Sequence, residues 1–296
     1  MTPTVRPARE DDYDDVVAFA REVWSDRPET TEYIPDIFRQ WVRTDGPTQR
    51  TVVADVDGTA VGLCQGSMLT DHEAWLQGMR VDPGHRGEGL GLAMVEDIFE
   101  WARDRGAAVA RNMVFSWNDA GLGQSVAAGF EPETAFRFAH PEPAERSVAD
   151  VTNDPAAAWR YWTASDGRKH LAGLVHDPDQ PWALSELTRE RLFRLADEQA
   201  VFAVGTDGDT RGMACRSGTT TDPGGEETIA EYAVGTWTDR EAAAALFDAI
   251  RDDAAALNAD RSRVLIPETA RHVTAAAAAR ADPADWPDFV LAAPLD

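Results

Sequence analysis

Residues 79–94 read MRVDPGHRGEGLGLAM, and this stretch decides the fold. Apolar Met79 and Val81 alternate with Arg80, as in a strand that ends at Val81. A loop holding Gly84, Gly87, Gly89 and Gly91 follows, and it runs straight into a helical pattern from about Gly89 to Asp104. That helix is expected to carry Leu92, Val95, Ile98, Phe99 and Ala102 on one face. Glycines permit positive φ and close backbone approach. A strand, glycine loop and helix in that order turn several N–H groups toward one point at the positive end of the helix dipole, which makes a phosphate cradle. Arg86 adds a charged fork to it. A Walker loop would need Gly-Lys-Ser/Thr, and no lysine stands here. The dinucleotide fingerprint fails as well, because Gly87-x-Gly89-x-Gly91 is followed by Leu92.

Outward from this stretch the pattern is α+β, with a mixed sheet. Residues 3–7 read as a strand, 12–24 and 33–43 as helices, and 51–69 as a hairpin turning at Asp57-Gly58. Residues 73–82 and 109–115 read as strands, 118–128 as a short helix and 134–139 as a strand. The polar, proline-bearing residues 143–158 read as a linker between two domains, 1–142 and 159–296. The second half partly repeats the first. Val53–Gly58 and Gly62 find an echo at Ala203–Gly208 and Gly212, followed by a strand over 228–237, a helix, a strand over 262–267, a helix and a closing strand. A diverged copy is expected there. It lacks the glycine loop, since Val234-Gly235-Thr236-Trp237-Thr238-Asp239-Arg240 stands in its place.

The complete pattern Val81, Pro83, Arg86, Gly87, Gly89, Gly91 resembles the acyl-CoA-binding motif of the GNAT acetyltransferase superfamily. Asn118 followed by Gly129-Phe130 is similar to a later signature of the same family, and residues 3–139 match its order of elements. The resemblance implies a GNAT fold in the first half and acetyl-CoA as cosubstrate. The backbone around Met79–Val81 would pair with the pantetheine amides, with Met79 and Val81 lining the channel. The amides of Arg86, Gly87, Glu88, Gly89, Leu90, Gly91 and Leu92 would hold the pyrophosphate. Asn118 would lie near the thioester or the pantetheine arm.

Direct transfer from the thioester to an amine needs a neutral amine, a polarised carbonyl and a departing thiolate. Glu73 is the candidate base, in alternation with Trp75, Gln77 and Met79; the competing reading is a solvated strand end. Trp75 stands where many family members keep a glutamate. Ser125 occupies the place of the family's usual tyrosine acid, and a serine hydroxyl is far less acidic than a phenol. Ser125 would position a water, or the thiolate would leave unaided. Trp24, Tyr33, Trp41 and Trp117 flank the segments that form the acceptor groove in such folds, or are core aromatics. Two functions follow: an N-acetyltransferase acting on a small-molecule or peptide primary amine, and a non-catalytic acyl-CoA sensor or scaffold.

Composition narrows the partners. The 296 residues hold 52 acidic and 28 basic side chains, a formal net charge of -24, and Lys169 is the only lysine. This dispersed acidity resembles the salt-in proteomes of halophilic archaea. Nucleic acid is an unsuitable partner without basic patches. No apolar run reaches the roughly 18 residues of a membrane span, and the N-terminus has no secretory h-region. The expected setting is therefore the cytoplasm, as monomer or homodimer, with no membrane partner. Cys64, Cys215 and six scattered histidines show no metal-ligand spacing, so no metal is expected.

Overall fold

The computed structural model describes residues 3–23, 32–148, 150–180, 182–205, 209–222 and 225–295, which form two compact units. Unit 1 comprises residues up to Val114, Asn118–Pro132 and the C-terminal residues from Leu291; unit 2 comprises Phe115–Trp117 and Glu133–Val290. Trp24 and residues 206–208 of the internal echo lie outside the described residues.

Unit 1 follows the expected order. Strand β1 (Thr4–Pro7) leads through a short turn to helix α1 (Tyr13–Val23) and then α2 (Ile34–Thr44). The hairpin β2 (Gln49–Val56) and β3 (Thr59–Met68) is followed by β4 (Glu73–Val81), α3 (Leu90–Arg103), β5 (Val109–Phe115) and α4 (Asp119–Ala127). The strands lie in the order β1-β2-β3-β4-β5, antiparallel until β4 and β5 run parallel. Side chains alternate across the sheet, and both faces are covered. Val53 and Leu63 pack under α1 and α2 against Phe19, Ile34, Phe38 and Trp41. Gly62 and Gly66 face α3: a Cβ on Gly62 would lie 2.9 Å from Met94, and one on Gly66 would lie 2.4 Å from Ile98. Glycine is what lets α3 sit this close.

Leu92 departs from expectation. It is exposed, not on the core face, because the buried stripe of α3 is Met94, Val95, Ile98, Phe99 and Ala102.

Unit 2 opens with β6 (Glu131–Ala139), which belongs to it from Glu133 onward. Then come β7 (Val151–Thr152), α5 (Pro155–Ala164), α6 (Asp166–His170), the small hairpin β8 (Leu174–His176) and β9 (Leu184–Glu186), and α7 (Arg189–Glu198). The chain continues as β10 (Ala200–Val204), β11 (Gly212–Thr221), β12 (Thr228–Trp237), α8 (Arg240–Ala256), β13 (Arg261–Pro267), α9 (Ala270–Ala278) and β14 (Asp288–Pro294). Its strands lie in the order β6-β13-β12-β11-β10-β7. Trp237, Leu246, Phe247 and Ile250 centre its core.

The structure corrects two expectations here. Residues 143–158 are not a featureless linker: Asp154 caps α5 through Ala156 and Ala157 N–H groups, and the Arg146 N–H donates to Asp252. The division at 142 also fails. Residues 133–142 belong to unit 2, while the last residues return to unit 1, where the Leu295 N–H donates to the Ala108 carbonyl at 2.9 Å.

Candidate active site

Two features of unit 1 converge. The first is a gap in the sheet. The β4–β5 ladder runs from Glu73↔Val109 to Leu76↔Asn112 and stops, although β4 continues to Val81, still paired to β3. The backbone of Gln77–Val81 on the β5 side and the facing edge of Met113–Val114 therefore have no strand partner in each other. Unmade ladder bonds need another partner, and an extended ligand with its own amides fits. A register shift between Leu63/Gln65 opposite Gly78 sharpens the splay. Gly78 has φ 67, and a Cβ there would lie 2.6 Å from the Trp41 ring, so glycine is required.

The second feature is the start of α3. Pro83–His85 form one 3-10 turn, capped by Asp82, whose Oδ1 accepts from the Gly84 N–H at 2.7 Å. Gly87 and Gly89 follow with φ 81 and 79, and a Cβ at either would meet nothing within 4 Å. Gly89 is the N-cap of α3 and offers no side chain to its first N–H groups. No N-cap side chain meets those donors at the positive helix end, where an anion is favoured. Arg86 is exposed beside them, without an ion-pair partner among the described residues, and Glu88 is drawn toward His85 at 3.3 Å. Gly91 has a different role. It is buried, and a Cβ would lie 2.3 Å from Gln124, so it serves the close packing of α4 on α3.

The remaining expected residues divide. Met79 and Val81 are half-buried on the splayed segment and Leu90 is buried under the loop. Asn118 caps α4, its Oδ1 accepting from the Gly121 N–H at 3.0 Å. Ser125 is buried, and its Oγ accepts from Asn112 Nδ2 at 2.9 Å. Asn112 stands on the last rung before the gap, and its Oδ1 is buried without a hydrogen-bond partner. Sequence reasoning missed Asn112; an asparagine inside a mostly apolar strand was the signal available.

Glu73 is neither a solvated strand end nor placed for proton transfer at the gap. Its carboxylate accepts from Arg111 at 2.6 Å and from Thr70 Oγ1 at 3.2 Å, and the residue is buried. It also lies four residues before Gln77, about 13 Å along an extended strand. The ion pair joins the start of β4 to β5. Cys64 is buried and its thiol is pushed up to about 12 by desolvation, which suits a core residue and not a nucleophile.

Ser125→Ala would remove the acceptor of the part-buried Asn112 Nδ2, which costs about 1–3 kcal/mol. The variant is expected to melt several degrees lower, while its turnover falls only a few-fold. A fall of a hundredfold at saturating acetyl-CoA would instead make the Ser125 hydroxyl part of the chemistry.

Residues 11–123 match the family model described as Acetyltransferase (GNAT) family. The first half of the chain thus carries the match to a GNAT acetyltransferase domain. It is 26% identical over 142 residues to an aminoglycoside N(6')-acetyltransferase type 1 of Klebsiella aerogenes, covering 44% of this chain and 90% of that protein. It is 28% identical over 131 residues to the thialysine N-epsilon-acetyltransferase of Mus musculus, covering 38% of this chain and 75% of that protein. A GCN5-related N-acetyltransferase structure from Sphaerobacter thermophilus shares the fold over 99% of this chain and 96% of its own, with TM-score 0.62 and 17% identity. Among the described residues, no helix is long and apolar enough to cross a membrane.

Proposed function

We propose that unit 1 binds acetyl-CoA and transfers its acetyl group directly to a primary amine of a small molecule or peptide. The observation that carries this reading is the pairing of an unladdered β4 edge with an uncapped α3 N-terminus across the glycine loop. The pyrophosphate suits the Gly87–Leu92 amides, with Arg86 as a charged supplement. The pantetheine amides suit the unladdered edge at Met79–Val81, where the Met79 carbonyl accepts from Arg80 Nη1 at 3.0 Å. The acetyl carbonyl then lies in the gap, where a strand N–H can donate to its oxygen and stabilise the negative charge that develops there as the amine attacks.

The amine lone pair forms the new C–N bond, the C–S bond breaks, and the CoA thiolate takes up the proton lost by the amine. Thiols of pKa about 8.5 are tolerable leaving groups, so a strong side-chain acid is dispensable. Free α-amines, with pKa about 7.7–8.0, are partly neutral near pH 7 and need little help from a base. The relatives' names, an aminoglycoside and a lysine analogue, fit amine acceptors of this kind.

Unit 2 reads as a diverged copy without the cradle. Gly62 faces Met94 of α3 in unit 1, and Gly212 faces Leu246 of α8 in unit 2, at 2.9 and 3.0 Å for an added Cβ. Gly62 pairs with Val81, and Gly212 with Trp237. Eight residues then separate Val81 from α3, whereas only Thr238 and Asp239 separate Trp237 from α8. Asp239 Oδ1 accepts from the Ala242 N–H at 2.9 Å, so the chain's own carboxylate occupies that helix start.

Calorimetric titration with CoA, followed by CoA release from acetyl-CoA across a panel of amines in high salt, tests the reading. Binding with turnover is expected. Binding without turnover on any amine would favour the acyl-CoA sensor, which the locked Glu73 also suits.

We also read the acidic surface as an adaptation to salt in a cytoplasmic protein. Near 1 M salt the Debye length falls to about 3 Å, which screens repulsion among the carboxylates. The melting temperature is expected to rise with KCl into the molar range. A flat or falling curve would remove the halophile reading.

A further inference from the structure

A polar chain crosses the α1/α2 face of unit 1. Asp45 follows α2, and its two carboxylate oxygens accept from the Thr51 N–H and the Thr51 hydroxyl, both at 2.9 Å. Thr51 Oγ1 accepts from Gln65 Nε2 at 3.3 Å, and Gln65 Oε1 accepts from Gln77 Nε2 at 2.7 Å. Thr51 and Gln65 are fully buried within the sheet. Such a chain has a direction. An ionised carboxylate only accepts, so the Thr51 hydroxyl spends its proton on Asp45. Its oxygen then needs a donor, which turns the Gln65 amide NH2 toward it. The Gln65 carbonyl consequently faces Gln77 and turns the Gln77 NH2 inward. What remains at the open end is Gln77 Oε1, which has no partner among the described residues and sits on a half-buried side chain.

Its position matters. Gln77 is the first β4 residue beyond the last β4–β5 rung. Through Gln65 it shares the parity of Leu63, which packs under α2, whereas Asn112 contacts Ser125 of α4 on the other side of the sheet. The gap is thus flanked by Asn112 and Ser125 on one face and by Gln77 on the other.

We propose that Gln77 is a positioning residue for the acyl acceptor. Its Oε1 accepts an N–H of the incoming amine and turns the nitrogen lone pair toward the thioester carbonyl, and Asp45 enforces that orientation from the far end of the chain. The inference rests on the acyl-transfer reading above. The direction is the point: an amide NH2 presented in the same place would donate to the lone pair and block attack.

Asp45→Asn tests the direction. The carbonyl of the substituted amide stays on the Thr51 N–H, and its NH2 faces the Thr51 hydroxyl, which then donates to Gln65. Both glutamine amides turn over, and Gln77 presents NH2 outward. Gln77→Glu alone sets a carboxylate against the Gln65 carbonyl. In the double variant Gln65 presents NH2 to the carboxylate introduced at position 77, whose second oxygen again faces the gap as an acceptor.

The readouts use the full chain. In side-chain amide NMR, one Gln77 Nε2 proton is expected to exchange slowly in the parent chain and at least about tenfold faster in Asp45→Asn, the scale of one lost hydrogen bond. Equal exchange in the two would overturn the orientation. With glycinamide and 1,3-diaminopropane as acceptor probes, Asp45→Asn and Gln77→Glu should each lower kcat/KM for the amine about tenfold by the same measure, at unchanged acetyl-CoA KM. The double variant should recover most of that loss. Additive losses would reduce the chain to a structural device and overturn the proposal, as would no transfer to either probe by the parent chain. CoA titration separates the two levels: a parent chain that fails to bind CoA sinks the acyl-transfer reading itself, whereas intact CoA binding with indifferent variants sinks only the role of Gln77.

Discussion

Gly89→Glu binds CoA at least about a hundredfold more weakly than the parent chain, while its melting temperature falls by only a few degrees; that is the expected result of placing a carboxylate at the α3 N-cap. An added Cβ at Gly89 meets nothing within 4 Å, so no packing is lost. The cost to the fold is the positive φ of 79, about 1–2 kcal/mol for a residue with a side chain. That translates to about 2–8 °C at this chain length. A negative charge at a helix start favours the helix and offsets part of this. The ligand fares differently. The introduced carboxylate would take the N–H donors that the pyrophosphate needs and repel its charges at close range, where a few kcal/mol is readily lost. Calorimetric titration with CoA, with a melting curve on the same sample, separates the two effects. Undiminished affinity would remove the glycine loop from the site. Arg86→Ala should cost less than Gly89→Glu, because the backbone donors stay in place.

Gly167→Ala is the second large effect, and it acts on stability. In unit 2 the parallel ladder of β12 and β13 ends at Tyr232↔Val264, although both strands continue to Trp237 and Pro267. The resulting splay is filled by the chain itself. Gly167 of α6 lies so close to β12 that a Cβ would stand 2.0 Å from Thr236 Oγ1 and 2.9 Å from its Cβ. His170 secures the other end of α6, with its carbonyl accepting from Thr134 and its Nε2 meeting the Ala135 carbonyl at 2.8 Å. Thr236 cannot rotate away freely, because it is fully buried and its hydroxyl meets His272 Nε2 at 3.1 Å. Adding one methyl group therefore forces α6 outward, at a cost of about 1–3 kcal/mol. Thermal melting should fall by roughly 2–12 °C. Thr236→Ala in the same chain should return part of the loss, since two groups in contact do not contribute independently. A melting temperature within a degree of the parent chain would show that α6 is not wedged there. CoA affinity of the folded Gly167→Ala protein should match the parent, because the acyl-CoA site is proposed for unit 1 alone.

Much of unit 1 was legible because its signals are local. The alternation around Val52 and Leu63, the Asp57-Gly58 turn and the glycine loop before Leu90 each determine backbone conformation within a few residues. The phosphate cradle was readable for the same reason: its donors are consecutive amides. The side chains were not. Glu73 looked available in alternation with Trp75 and Gln77, but its partner Arg111 arrives from β5, a strand 38 residues away. Leu92 fits the apolar spacing of α3, yet the exposed side of the helix rotates it away from the core. The residues between 159 and 200 gave no reading, because α5, α6 and α7 are short and their burial depends on neighbours distant in the chain. The linker expectation failed through Asp154-Pro155, which is as good a helix start as a turn.

The return of residues 291–295 to unit 1 has a consequence for how the protein is made. Arg103 Nε donates to the Leu295 carbonyl across 192 residues of sequence, and the Leu295 N–H closes on Ala108. At roughly 5–20 residues per second of synthesis, the residues after Arg103 take about 10–40 s to emerge. For that interval the nascent first unit carries a raw edge at Ala108, and pairings this distant form slowly even in the finished chain. The fragment 1–142 would keep that edge permanently. Emergence of residues 291–295, and not completion of the β1–α4 segment, is thus the earliest moment at which unit 1 can close.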